Sequence, residues 1–148
     1  MKKLMLTLIC AFTAPVLFAQ AHNNWLTNFE QAKTQAAKEN KKILISFSGS
    51  DWCNNCMRLE HDLFEQEEFA NYAQENLVLL KLDFPAKKKN QLPPEQKAHN
   101  EKLAAKYNKK GTFPQVIIVN PDGSIQGTMQ HPASNASEYL NSIDALSK

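Results

Sequence analysis

The sequence predicts one α/β domain, and three observations carry that prediction. Ile43-Leu44-Ile45-Ser46-Phe47 and Leu77-Val78-Leu79-Leu80-Lys81-Leu82 are short, nearly continuous apolar runs, the pattern of strands buried on both faces. The stretch between them has helical character, so the two strands join as a βαβ unit. Asn120-Pro121-Asp122-Gly123 separates two further strand-like segments and is a strong turn signal, which makes a hairpin. A chain of 148 residues suffices for one apolar core and is too short for two domains of ordinary size.

In chain order, Phe29, Ala32, Ala36 and Ala37 recur at helical spacing and predict a first helix over residues 27–40, with Thr27 and Glu30 as its capping box. After the first strand, Ser48-Gly49-Ser50-Asp51 reads as a turn. Trp52-Cys53-Asn54-Asn55-Cys56-Met57-Arg58-Leu59-Glu60 then runs without a breaker into good helix formers, so both cysteines fall at a strand-to-helix junction. The helical period slips near residues 62–66, which predicts a bend there and a second helical piece over 67–74. Beyond the second strand, residues 84–94 contain Lys87-Lys88-Lys89 and Pro93-Pro94 and read as an exposed loop. A helix over 95–108 follows, with Pro94 in its first turn and Gly111 just past its end. The hairpin strands fall at 116–119 and 124–129. Asn135 and Glu138 cap a final amphipathic helix with Leu140, Ile143 and Leu146 on one side.

Lys2 and Lys3, an apolar stretch from Leu4 to Phe18 and the small residue Ala19 read as a secretory signal. Cleavage after Ala19 leaves residues 20–148 as the domain and places it in the periplasm or outside the cell. The apolar run is short for a bilayer span, and nothing from Gln20 onward offers another. Cys10 is read as part of the discarded signal. Without Lys2 and Lys3 the 17 basic side chains become 15 against 15 acidic ones, so the remainder is formally neutral and nothing calls for nucleic acid. Cys53 and Cys56 remain, too close together to staple a long loop, in a compartment where disulfides persist.

Only a thiolate attacks a disulfide, and at a helix start the unpaired backbone N–H groups and the helix dipole favour negative charge on a sulfur. On these grounds Cys53 is the candidate nucleophile and Cys56, one helical turn on, the candidate resolving thiol. Glu60, a turn beyond Cys56, is a candidate proton relay; the plainer reading is a solvated helix residue.

The order of elements, the Trp52-Cys53-Asn54-Asn55-Cys56 motif after a buried strand, Thr112-Phe113-Pro114 before the hairpin and a helix after it together resemble the thioredoxin-like family, over about residues 25–145. Ser48-Gly49-Ser50-Asp51-Trp52-Cys53 and Leu82-Asp83-Phe84-Pro85 are similar, more narrowly, to secreted bacterial thioredoxin-like proteins related to the reducing domain of transmembrane disulfide reductases. The resemblance implies a thioredoxin-like fold with a central mixed sheet flanked by helices, and a cis bond before Pro114 in a loop facing the cysteine helix. It implies a thiol:disulfide oxidoreductase that acts on protein disulfides, as a reductant more than an oxidant. Trp52, Phe113 and Pro114 would contact substrate, and the Cys53–Cys56 disulfide would serve in place of any cofactor or metal. Protein thiols and disulfides are the implied partners, with a membrane-bound electron donor, and a monomer is expected. The chain departs from thioredoxin in carrying Asn54-Asn55 rather than Gly-Pro, Ser46 near the place of a buried aspartate, and Phe113 in place of a smaller residue before the proline, which would narrow or shift the substrates admitted.

Two other readings stand beside this one. A Cys-x-x-Cys pair also binds metals, and Met57 and His61 lie near; but zinc sites usually need four ligands, and helical spacing turns His61 away from Cys56. The fold alone is also compatible with a non-enzymatic interaction domain whose cysteines idle. Lys87 to Lys89 are read as a solvated loop, His99 and His131 as surface residues, Met57 as helix packing, and Trp25 and Phe29 as core.

Overall fold

A computed structural model describes residues 24–129 and 135–148. The signal segment, Cys10, the cleavage point and His131 lie outside the described residues.

Each apolar run forms a strand. β1 (Lys42–Ser48) and β2 (Leu77–Asp83) run parallel, in register from Lys42 against Leu77 to Ser48 against Asp83. β3 (Gln115–Val119) pairs antiparallel with the other edge of β1, and β4 (Ile125–Thr128) antiparallel with β3. The result is a mixed sheet of order β2-β1-β3-β4. Beyond β2, Leu26 forms a single parallel bridge to Leu80: its N–H donates to Leu79 O at 2.8 Å and its carbonyl accepts from Lys81 N at 2.9 Å.

Helices cover both faces, which is why the central strands are apolar throughout instead of alternating. Ile43, Ile45 and Phe47 pack with Phe29, Ala32 and Ala36 of α1 (Phe29–Glu39) and with Leu103 and Tyr107 of α4 (Pro94–Tyr107). Leu44, Val116 and Ile118 point the other way. They pack with Leu59 of α2 (Asn54–Leu59), Phe69 and Ala73 of α3 (Glu67–Asn76), and Tyr139, Leu140 and Ile143 of α5 (Ala136–Ser147). Between α2 and α3 the chain makes a widened, π-type turn over Glu60–Phe64, whose Leu63 and Phe64 are buried; this is the bend that the slipping period predicts. Among the described residues no helix is long and apolar enough to cross a membrane.

Some local expectations are corrected. α1 is capped by Asn28, whose Oδ1 accepts from Gln31 N at 3.0 Å, and not by Thr27, whose carbonyl accepts from Gln96 Nε2 at 2.9 Å. His99 is no solvated surface residue: it is half-buried, and its Nε2 accepts the backbone N–H of Phe29 at 3.1 Å. Met57 does not pack into the core but is 44% exposed, because α2 turns Cys56 and Leu59 inward.

Candidate active site

The site forms where β1 runs out at the edge of its buried layer. The turn after Ser48 closes with the N–H groups of Trp52 and Cys53 donating to Gly49 O at 3.3 and 2.9 Å. Cys53 occupies the N-cap of α2 in extended conformation (φ −95°, ψ 96°). Its carbonyl accepts from Met57 N at 3.1 Å, and its Sγ accepts from Cys56 N at 3.2 Å. The two cysteines form a disulfide with Cα atoms 5.2 Å apart, and Cys56 (3% exposed) lies slightly deeper than Cys53 (7%).

An aromatic wall starts at Trp52, the residue before Cys53. The indole of Trp52, 47% exposed, meets the Phe113 ring edge-to-face at 5.3 Å. Phe113 meets Phe84 in the same way at 5.4 Å, and Phe84 stacks on core residue Phe47 at 6.4 Å. The Phe113–Pro114 bond is cis. Trp52 is held at the nitrogen-bearing edge of its indole. Nε1–H donates to Phe84 O at 2.7 Å, and the ring lies over Gly49, where a Cβ would sit only 2.6 Å from Cζ2. Glycine is needed here for close approach, and a side chain at this position displaces the tryptophan.

The loop after β2 is fastened to the cysteine turn. Ser50 donates to Asp83 through N–H (2.9 Å) and Oγ–H (2.6 Å), while Phe84 N donates to Ser48 O at 2.9 Å. The Asp51 carboxylate accepts from Ala86 N at 2.8 Å, Lys87 N at 3.0 Å and Asn90 Nδ2 at 2.8 Å. These donors, the Ala86 N–H foremost, hold the Asp51 carboxyl below its usual range. From the far side, Asn100, buried on α4, donates through Nδ2 to Asp83 O at 2.9 Å. Asp51, Gly49 and Phe84 carry no sequence signal of their own beyond their place in the family-like motifs, since their partners are distant in the chain.

Glu60 stands one turn beyond Cys56, with its N–H bonded to Cys56 O. Its carboxylate pairs with Lys81 at 2.6 Å, both side chains only about a quarter exposed, and the Lys81 ammonium lies 5.8 Å from the Trp25 ring centre. In register, Lys81 is opposite Ser46. The carboxylate is therefore a partly buried member of an ion pair next to the cysteine helix. His61 pairs instead with its neighbour Asp62 at 2.8 Å and is well exposed. Among the described residues no group of three or more His, Cys, Asp or Glu is placed to hold a metal ion.

Comparison with known proteins agrees with this geometry. A family model described as thioredoxin-like matches residues 24–121. The disulfide bond reductase DsbH of Chlamydia pneumoniae is 28% identical over 136 residues, which cover 92% of this chain and 78% of its own. The thioredoxin-related protein DsbJ of the same organism is 25% identical over 87 residues, 55% of this chain and 25% of its own. Among solved structures, a DsbH oxidoreductase superposes with a TM-score of 0.79 at 26% identity, over 92% of both chains. A disulphide isomerase from Xylella fastidiosa Temecula1 superposes at 0.60 with 18% identity, over 88% of this chain and 99% of its own, a likeness of fold. The family match begins before α1 and ends in the β3–β4 turn, so it contains the cysteine helix and the cis-proline together: the chain belongs to the thioredoxin-like family, as a thiol:disulfide oxidoreductase working through a redox-active disulfide.

Proposed function

We propose that this protein is an exported reductant of protein disulfides, with Cys53 as the attacking sulfur and Cys56 as the resolving one. The observation that carries the assignment of roles is the Cys56 N–H directed at Cys53 Sγ at 3.2 Å, at the opening of a helical run that continues through Phe64. On reduction, negative charge at Cys53 meets that N–H and the positive end of the helix dipole, and thiolate character follows. Cys56, behind it, has no such donor in the described contacts.

The reduced protein acts in two steps. The Cys53 thiolate attacks one sulfur of the substrate disulfide; a Cys53–substrate bond forms, the substrate bond breaks, and the other substrate sulfur leaves and takes up a proton. Cys56 then gives up its proton and attacks Cys53 Sγ, which closes the disulfide and frees the second substrate thiol. Two electrons have passed to the substrate. Glu60, paired with Lys81 and one turn from Cys56, is the nearest carboxylate along the helix to accept that proton. Trp52, Phe113 and Pro114 supply the contact surface: the aromatic edge packs against apolar side chains, and the backbone beside Pro114 pairs with an extended substrate chain. A membrane-bound donor restores the dithiol. The reductant direction is supported by the name carried by the relative DsbH, a disulfide bond reductase.

Expression of a Cys56→Ser variant in the native host tests this. It is expected to accumulate mixed disulfides through Cys53 that disappear on adding a reductant. Trapping by Cys53→Ser instead reverses the two roles, and trapping by neither favours an inert scaffold. Rapid acid quenching and alkylation of the wild type in cells tests direction: a reductant is found mainly as the dithiol, and a pair held fully oxidised contradicts the proposal. A mature chain beginning at Gln20 in the extracytoplasmic fraction is the expected sign of export.

A further inference from the structure

Lys87, Lys88 and Lys89 are exposed, and among the described residues none of them enters an ion pair. Arg58, on the cysteine helix itself, makes none either. Of the acids around the loop, Asp83 holds Ser50, Asp51 faces backbone donors, Glu101 lies 3.8 Å from Lys97, and Glu95, in the first turn of α4, forms no ion pair with the three lysines. The lysine run is not a free tether. Asp51, two residues before Cys53, holds Ala86 and Lys87 by their N–H groups and Asn90 by its amide; Asn90 N closes a turn onto Lys87 O at 2.9 Å, and Gln91 Nε2 braces Pro85 O at 3.0 Å. The backbone that bears three exposed ammonium groups is thereby fixed to the turn that carries the reactive sulfur; the Asp51 carboxylate partly offsets Lys87, and without Lys2 and Lys3 the chain as a whole is formally neutral.

We propose that the Lys87–Lys89 loop is a docking surface for an acidic segment flanking the reactive cysteine of a partner protein. The inference rests on Cys53 as attacking sulfur. A substrate sulfur bonded to Cys53 places its flanking residues across the rim of the site, where Trp52 and Phe113 give apolar contact and the pinned loop gives charge. Positive charge fixed beside the site raises the encounter rate of acidic partners and repels basic ones, and salt screens both effects.

The test uses pre-reduced protein and two disulfide-linked peptides of equal length, one flanked by Glu and one by Lys. Rates are normalised to the uncharged bis(2-hydroxyethyl) disulfide. The wild type is expected to favour the acidic peptide roughly tenfold at about 0.02 M salt and less than about twofold at about 1 M. A Lys88→Gln/Lys89→Gln variant is expected to lose that preference. Lys38→Gln/Lys106→Gln, which removes the same charge from the last turns of α1 and α4, is expected to keep it. Asp51→Ala separates position from bulk charge: it makes the protein more positive yet frees the loop, so the preference is expected to fall. No preference at low salt, an equal loss in both lysine variants, or a rise in Asp51→Ala overturns the inference. Failure to reduce even the uncharged disulfide contradicts the assignment of Cys53, and this inference with it.

Discussion

Three helices in this molecule open with one geometry and two kinds of atom. At α1 and α5 the capping oxygens of Asn28 and Asn135 accept the N–H three residues on, each at 3.0 Å. At α2 the same position is held by Cys53, and the acceptor is sulfur at 3.2 Å. An amide oxygen is a good acceptor at all times, so the asparagine caps stabilise their helices continuously. Sulfur in a thiol or disulfide accepts weakly, and strongly once it carries charge. The start of α2 therefore gives up part of the usual cap energy in the oxidised state and recovers it when the disulfide opens to a thiolate. One capping device serves stability in two places and chemistry in the third.

The largest effect expected from this contrast is in Cys53→Ser. Serine is a strong cap, so stability against urea is expected to stay within about 1 kcal/mol of the reduced wild type. Disulfide exchange, followed by peptide reduction, is expected to fall to the uncatalysed background. Next comes Asn100→Ala, which takes the donor from Asp83 O behind the cysteine turn and leaves it underbonded; urea unfolding is expected to show a loss of about 1–3 kcal/mol. Asn28→Ala and Asn135→Ala are expected to cost about 1 kcal/mol each, with the exchange rate per folded molecule unchanged. A rate defect in either asparagine variant breaks the division between structural and chemical caps.

The smallest effect is a pH dependence. The Asp51 carboxyl titrates below its ordinary value of 3.8, so its contribution to stability is fully present above that value and is lost as pH falls through the lower folded one. The urea midpoints of wild type and Asp51→Ala are expected to differ by a constant amount from neutral pH down to about 4 and to converge in stronger acid. A difference that persists at pH 2 contradicts the role given to the Asp51 carboxylate.

The strands and the hairpin could be read from the chain because their signals are local: unbroken apolar runs for a strand covered on both faces, and Asn-Pro-Asp-Gly for the turn. The cysteine pair was readable for the same reason, since a Cys-x-x-Cys lies within one helical turn. What escaped is set by partners far along the chain. Thr27 and Asn28 are adjacent, both are capping types, and each has a Glu or Gln three residues on; the choice falls to Asn28, while Gln96 occupies Thr27 O. His99 is hydrophilic in isolation, and its half-buried place goes with a partner 70 residues away, the Phe29 N–H that its Nε2 accepts. The loop after β2 is lysine-rich and reads as solvated, yet Asp51 fixes its backbone from 35 residues away in the chain. Met57 was misplaced for another reason: six residues are too few for periodicity to show which side of α2 faces the core.

The central claim is that the capping sulfur is the reactive one. The reduced wild type, pulsed with iodoacetamide at neutral pH and mapped by mass spectrometry, tests it directly. The account predicts that Cys53 is alkylated first and much faster than an ordinary free thiol, with Cys56 lagging behind. Faster modification of Cys56, or both cysteines reacting no faster than a free thiol, would contradict it.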